Sequence, residues 1–308
     1  MFTKDDFISI KVREKLKFSD IYDNKKGKHI ISYEVFPPKN DMDFTGLYQT
    51  IEDLKEINPD YVSVTYGAGG SNRDKTLEIA STIKNKMGIE VAAHLTCVNA
   101  TIQDTDIMLE RFKKENIENI LALRGDPPYG QENFTQTIGG FAYASELIEH
   151  INKSGEFGIA AAGYPEKHPE ASSLDADIEN LKRKIDNGAT NVITQLFFNN
   201  EDFYKYRELC CKKNIKVKIE PGIMPILNFK SVQRMVSLCG AKIPEKLLSD
   251  LEKNQDNKEA IEKIGIDYAI EQISDLLDNE IDGIHFYAMN KSKEIKKIYH
   301  ALENKIIR

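Results

Sequence analysis

Eight strand-like runs, at residues 29–36, 61–66, 90–97, 119–124, 157–164, 191–198, 217–223 and 283–289, punctuate the chain. They are short and mostly rich in β-branched, aromatic and small apolar residues, as strands buried on both faces are. Amphipathic helical stretches separate them, at 44–57, 73–87, 103–115, 141–152, 175–187, 201–213 and 229–239, with a last one at 292–305. A further helical block at 244–278 precedes the final run, and a charged extension at 1–28 reads as helical up to a turn at Gly27. No composition break or Gly/Ser linker divides the series, so 1–308 reads as a single domain. Such strand–helix units close into a barrel or spread as an open doubly wound sheet. Polar residues decide between the two, because Glu34, Thr65, His94, Arg124 with Asp126, Tyr164 and Gln195 sit towards the C-terminal ends of six different runs. An open sheet gathers its site at one crevice, whereas a barrel gives every strand access to one mouth. The expected fold is therefore α/β, a (β/α)8 barrel with an N-terminal helical extension and a helical insertion before the last strand.

The first run, His29-Ile30-Ile31-Ser32-Tyr33-Glu34-Val35-Phe36-Pro37-Pro38, carries a carboxylate inside an apolar strand that two prolines terminate. With a period of two, Ser32, Glu34 and Phe36 share one face, and Ile31, Tyr33 and Val35 the other. A buried carboxylate is either paired or held protonated with a raised pKa. Glu34 thus reads as a strand-end salt bridge or as an acid.

Other strand exits carry candidate chemistry beside plain structural alternatives. Thr65-Tyr66-Gly67-Ala68-Gly69-Gly70-Ser71-Asn72 is a glycine loop after a strand, but Asn72 breaks the G-x-G-x-x-G dinucleotide spacing. A loop that lets a flat ligand or a phosphate approach backbone N–H groups remains. Arg124-Gly125-Asp126-Pro127-Pro128 reads as an ion pair closing a turn, or as a grip on phosphate and heterocycle edges. Tyr164 follows small residues that leave room for something flat, and His168 lies in its loop. Asp177, Asn180 and Arg183 lie along one side of a helix with Lys184 beside them, as a solvated charged face or as a cradle for a ribose and a diphosphate. The Gln195 amide, inside an apolar run, needs partners from a ligand edge or from neighbouring backbone.

Composition excludes several classes. A net charge of −7 and a pI near 5.6 argue against a nucleic-acid partner. No apolar run is long enough to span a bilayer, and the N-terminus lacks a secretory pattern. Cys97, Cys210, Cys211 and Cys239 show no C-x-x-C spacing, which fits a reduced, cytoplasmic protein without a metal site. Neither a Ser-His-Asp order, an H-E-x-x-H helix nor a P-loop occurs.

In order and spacing, Tyr-Glu-Val-Phe-Pro-Pro around Glu34, Val-Thr-Tyr-Gly-Ala, Ala-His-Leu-Thr-Cys, Ala-Leu-Arg-Gly-Asp, Tyr-Pro-Glu-Lys-His-Pro-Glu-Ala, Leu-Lys-Arg-Lys and Ile-Thr-Gln-Leu-Phe-Phe resemble the 5,10-methylenetetrahydrofolate reductases. Pro221-Gly222-Ile223-Met224-Pro225 and His285-Phe286-Tyr287-Ala288-Met289-Asn290 continue the likeness, which runs from about residue 29 to 300. The length matches the bacterial catalytic barrel. The resemblance implies a TIM barrel that holds FAD and reduces 5,10-methylenetetrahydrofolate to 5-methyltetrahydrofolate with NAD(P)H, by ping-pong hydride transfer. It implies an oxidoreductase acting on CH-NH donors, in one-carbon metabolism and methionine biosynthesis, assembled as a homo-oligomer. Glu34 matches the general acid, and Thr65 a residue near flavin and nicotinamide. Tyr66, Ala68, His94, Arg124, Gly125, Asp126, Ala144, Tyr164, His168, Ala171, Asp177, Asn180, Arg183 and Lys184 match FAD contacts, and Asp126 and Gln195 match folate contacts.

Three positions depart from the family pattern. Lys291 replaces an arginine near the folate tail, keeping the charge but losing the bidentate fork, and Ser231 and Met235 replace a glutamine and a phenylalanine. These changes leave NADH, NADPH and a partner protein open as electron donors. The alternative reading is a flavin-free barrel lyase or a folate-binding module. A lyase of the aldolase kind would want a Schiff-base lysine at a strand end, and only Lys216 and Lys218 flank one.

Overall fold

The computed structural model describes residues 16–38, 44–67, 73–127, 130–131 and 133–308. Most of the glycine loop, Ala68 included, and the first half of the N-terminal extension lie outside these residues. In chain order the strands are β1 (Ile30–Val35), β2 (Tyr61–Val64), β3 (Val91–Thr96), β4 (Asn119–Leu123), β5 (Gly158–Gly163), β6 (Asn191–Thr194), β7 (Lys218–Glu220), β8 (Gly222–Ile223) and β9 (Gly283–Tyr287). The helices are α1 (Phe18–Asn24), α2 (Phe44–Leu54), α3 (Arg73–Ser81), α4 (Ile102–Lys114), α5 (Ala144–Asn152), α6 (Leu174–Asp186), α7 (Asn200–Lys212), α8 (Phe229–Cys239), α9 (Glu245–Lys253), α10 (Lys258–Asp278) and α11 (Ser292–Leu302).

All pairings among these strands are parallel, in the order β7-β6-β5-β4-β3-β2-β1-β9-β8. The two outer members, β7 and β8, are halves of the expected run 217–223. Pro221 divides them because it has no N–H to donate, while its carbonyl still accepts a bond from the His285 N–H at 3.0 Å. β7 pairs with β6 and β8 with β9, so one bent strand joins both ends of the sheet and closes the ring. The result is the expected eight-stranded barrel.

Alternation along each strand sorts side chains into two environments. On β1, Ile31, Tyr33 and Val35 join the core between the ring and its helices, while Ser32 and Glu34 take the opposite, inward face. Helix α1 plugs the N-terminal end of the barrel: Phe18 meets the Tyr61 ring edge-on at 5.2 Å, and its N–H donates to Asn119 Oδ1 at 2.7 Å. Of the helices before β9, α10 packs between α7 and α11 in the outer layer. Residues of α8 and α9, including Phe229, Val232, Leu247 and Leu251, form a separate apolar cluster with Leu196, Phe198 and Met224 beside the mouth. At Gly265 of α10 an added Cβ would collide with the Ile226 carbonyl, so glycine is what lets this helix pass the loop after β8. No helix among the described residues is long and apolar enough to cross a membrane.

Candidate active site

The carboxyl ends of the strands open on one cavity of about 820 Å³, in the upper part of the ~300–1,000 Å³ range of small-molecule sites. Glu34 enters it from β1, Thr65 and Tyr66 from the exit of β2, and His94 from β3. Arg124, Gly125 and Asp126 follow β4, Tyr164, His168 and Ala171 follow β5, and Gln195 follows β6. Ala144 opens α5, and Asp177, Asn180, Arg183 and Lys184 project from the first turns and last turns of α6. The barrel thus brings the sequence-selected residues to one wall, apart from Ala68, which lies outside the described residues, and Lys291. Lys291 is exposed at the N-cap of α11 and does not line the cavity. Met289 and Asn290, both left-handed with φ of 51° and 53°, turn the chain away from the mouth just before it. Asn290 clasps the end of β1 there, accepting from Phe36 N at 3.1 Å and donating to Phe36 O at 3.0 Å. Of the other departures, Met235 lines the cavity and Ser231 does not.

Glu34 is mostly buried, with its side chain 20% exposed, and its Oε2 lies 3.4 Å from His94 Nε2. Burial pushes the Glu34 carboxyl up to about 8 and pulls the His94 imidazole down to about 3. Both shifts run against ion pairing, so near pH 7 this is a neutral acid beside a neutral ring, not a salt bridge. The strand-end salt bridge that the sequence left open is therefore not what forms.

Arg124 does not pair with Asp126. Its guanidinium forms a two-pronged bond to Glu170, with both N···O distances at 2.6 Å, and lies 4.8 Å from the Phe134 ring centre. Asp126 is left exposed at the rim. Gly125 holds the turn with φ of 88°, and a Cβ there would meet Val98 Cγ1 at 2.8 Å. Across the mouth, Asp177 accepts from the His168 backbone N–H at 2.9 Å. Lys184 donates to the Ala162 carbonyl at 3.0 Å and sits 5.8 Å from the Tyr164 ring centre, its ammonium pKa lowered by burial. Arg183 donates to Asn180 Oδ1. The Gln195 amide oxygen accepts from Leu196 N at 2.8 Å, so backbone supplies one of its partners.

The wall also contains Thr96, Glu170, Met224, Tyr287 and Met289, which the sequence reading did not assign. Period-two alternation on β9 was the available signal for Tyr287, since it faces inward two places after His285. Its hydroxyl donates to the Thr194 carbonyl at 2.7 Å. Among the described residues, His94 Nε2 and Thr96 Oγ1 are buried polar atoms at this wall without a hydrogen-bonding partner.

A parallel barrel whose C-terminal face gathers an acid, an aromatic ring, three cations and unpartnered polar atoms defines the class: a TIM-barrel protein with a small-molecule site at its mouth. The family model described as methylenetetrahydrofolate reductase matches residues 17–303, and the chain belongs to that family. It is 41% identical over 280 residues to "Methylenetetrahydrofolate reductase (NADH) 1" of Arabidopsis thaliana, covering 87% of this chain and 47% of the relative. The chain thus spans about half the length of the plant relatives it matches. It is 35% identical over 277 residues to the 5,10-methylenetetrahydrofolate reductase of Escherichia coli (strain K12), covering 90% of this chain and 92% of that one. Among solved structures, an uncharacterized Clostridium thermocellum protein that binds two copies of 5-methyl-5,6,7,8-tetrahydrofolic acid shares the fold. Its TM-score is 0.66 at 18% identity, over 93% of this chain and 98% of that one.

Proposed function

We propose that the chain reduces 5,10-methylenetetrahydrofolate to 5-methyltetrahydrofolate, with FAD as cofactor, a reduced nicotinamide as donor and Glu34 as general acid. The observation that carries this reading is the buried carboxyl of Glu34, held protonated at the floor of the mouth by desolvation. The methylene bridge between folate N5 and N10 accepts hydride poorly until N10 is protonated and the bridge opens to an iminium. An acid for that step must keep its proton near neutrality, which an ordinary carboxyl does not.

The wall fits FAD on its own chemistry. Arg124, Arg183 and Lys184 suit a diphosphate, Asp177 and Asn180 suit a ribose, and Tyr164 offers a flat face. The partnerless atoms of His94 and Thr96 suit the polar edge of a ring system. When bound, FAD supplies hydride acceptance and donation. Gln195 and Asp126 would orient the folate, and Met224, Met235 and Met289 shield the floor from water. The names of the plant relatives specify NADH, which makes it the first donor to test.

The decisive experiment is anaerobic. The purified protein should absorb near ~450 nm, bleach with NADH or NADPH and recover colour on adding methylenetetrahydrofolate, with methyl-folate as product. A colourless protein indifferent to FAD would instead favour a flavin-free lyase or a folate-binding module.

A further inference from the structure

Below Glu34, the barrel axis holds a second carboxyl that the proposed reaction does not use. Glu220 is fully buried at the end of β7. Its Oε1 accepts from Tyr61 OH at 2.8 Å and from Tyr22 OH, and its Oε2 receives Ser32 Oγ at 2.8 Å. The same Ser32 Oγ lies 2.8 Å from Nδ1 of His285, itself fully buried. Among the described residues, His285 Nε2 has no hydrogen-bonding partner, and neither does Nε2 of His94, which lies 3.4 Å from Glu34 Oε2. Ser32 and Glu34 are inward neighbours on β1, paired in register with His285 and Tyr287 of β9. A hydrogen-bonded chain therefore runs from Glu220 through Ser32, the inward neighbour of Glu34 on β1, to His285.

Hydrogen-bond direction in this chain is set by one proton. With Glu220 ionised, Ser32 donates to Oε2, and its oxygen can then only accept from His285, which must carry its proton on Nδ1. With Glu220 protonated, the proton sits on Oε2, because Oε1 already accepts from two tyrosines. Ser32 then accepts from Glu220 and donates to Nδ1, so the proton of His285 moves to Nε2. We propose that Glu220 is a switch beneath the site: through Ser32, its charge state selects the His285 tautomer.

The surroundings allow the switch to operate near neutrality. Burial, opposed by the bonds from Tyr22, Tyr61 and Ser32, holds Glu220 at about 7, with Asp60 raising it further. Asp60 is itself paired with Arg308 at 2.7 Å and Lys25 at 3.0 Å, and Asp282, which faces Tyr22, is paired with Lys218 at 2.7 Å. Burial keeps His285 neutral, at about 3, so it changes tautomer and not charge.

The test is the tautomer itself, read in protein labelled with ¹⁵N-histidine by long-range proton–nitrogen spectra, with His285 assigned from its loss in His285→Asn. Between about pH 5.5 and 9, His285 should pass from the Nε2–H to the Nδ1–H form. Glu220→Gln should lock it in the Nε2–H form, because its amide donates to Ser32 at every pH. Ser32→Ala leaves Glu220 with both tyrosines but cuts the link, so His285 should stop following pH even if Glu220→Gln does not fold. A wild-type His285 tautomer that is constant over this range, or one that still switches in either variant, overturns the proposal. Because the tautomer is read without turnover, it stands or falls separately from the folate reductase activity.

Discussion

Glu34→Gln should make the protein more stable while removing the proton that the proposed reaction needs. Glu34 titrates at about 8 in the fold against an ordinary 4.5, so the folded state binds the proton more tightly than the unfolded chain. Below about pH 4.5 both states are protonated and the residue is neutral in effect. Between 4.5 and 8 the unfolded chain ionises while the fold cannot, so the native state loses stability as pH rises, and above 8 the loss is constant. At 1.36 kcal/mol per unit, this penalty is a little under ~1 kcal/mol at pH 5 and about 3 kcal/mol at pH 7. Glutamine cannot ionise and nearly preserves the shape, so it should recover that amount. For a chain of this size the gain is roughly 5 °C in midpoint at pH 7 and about 1 °C at pH 5. Melting curves of the FAD-free wild type and variant, recorded in parallel at one scan rate from pH 5 to 7.5, measure it. A difference that does not grow with pH, or a variant less stable at pH 7, would refute the buried-acid reasoning. Stopped-flow on the FAD-loaded protein gives the functional side. Donor oxidation should survive in Glu34→Gln, whereas folate reduction falls by about 10²–10⁴-fold. Equal losses in the two steps would remove the acid role.

Lys184→Met keeps the stem of the side chain and deletes a cation from the mouth. FAD affinity, followed by quenching of flavin fluorescence, should fall by roughly 10- to 100-fold, as expected for one charge-assisted hydrogen bond; unchanged affinity would exclude Lys184 from the FAD site. Gly265→Ala places a methyl against the Ile226 carbonyl at the passage of α10. It should cost about 1–3 kcal/mol, seen as a lower melting midpoint at every pH, since no titrating group is involved.

Much of the fold was legible because burial on both faces makes parallel strands read as apolar runs, and α/β alternation leaves few topologies. The single run 217–223 was legible as a strand, but its division at Pro221 and its use to close the ring were not. A proline's missing N–H is visible in sequence, while the partner that its carbonyl finds across the ring is not. At the site, period two placed Glu34 and Ser32 on one face correctly. The partner of Arg124 could not be read, because Glu170 lies far along the chain and meets it only when the loops after β4 and β5 converge. Glu220 went unremarked for the same reason: before folding it is one more glutamate among lysines ahead of a Pro-Gly turn.

The sequence by itself determined which residues are strands, which faces turn inward and which side chains stand at the strand exits, since these follow from local periodicity and from the chemistry of Pro and Gly. The tertiary structure decided which of those groups meet and what charge they carry. A pKa near 8 at Glu34 and near 7 at Glu220 depends on how much water the closed barrel excludes and on which hydroxyls and rings converge from other strands. Desolvation is a property of the enclosing surface, and no stretch of sequence contains it.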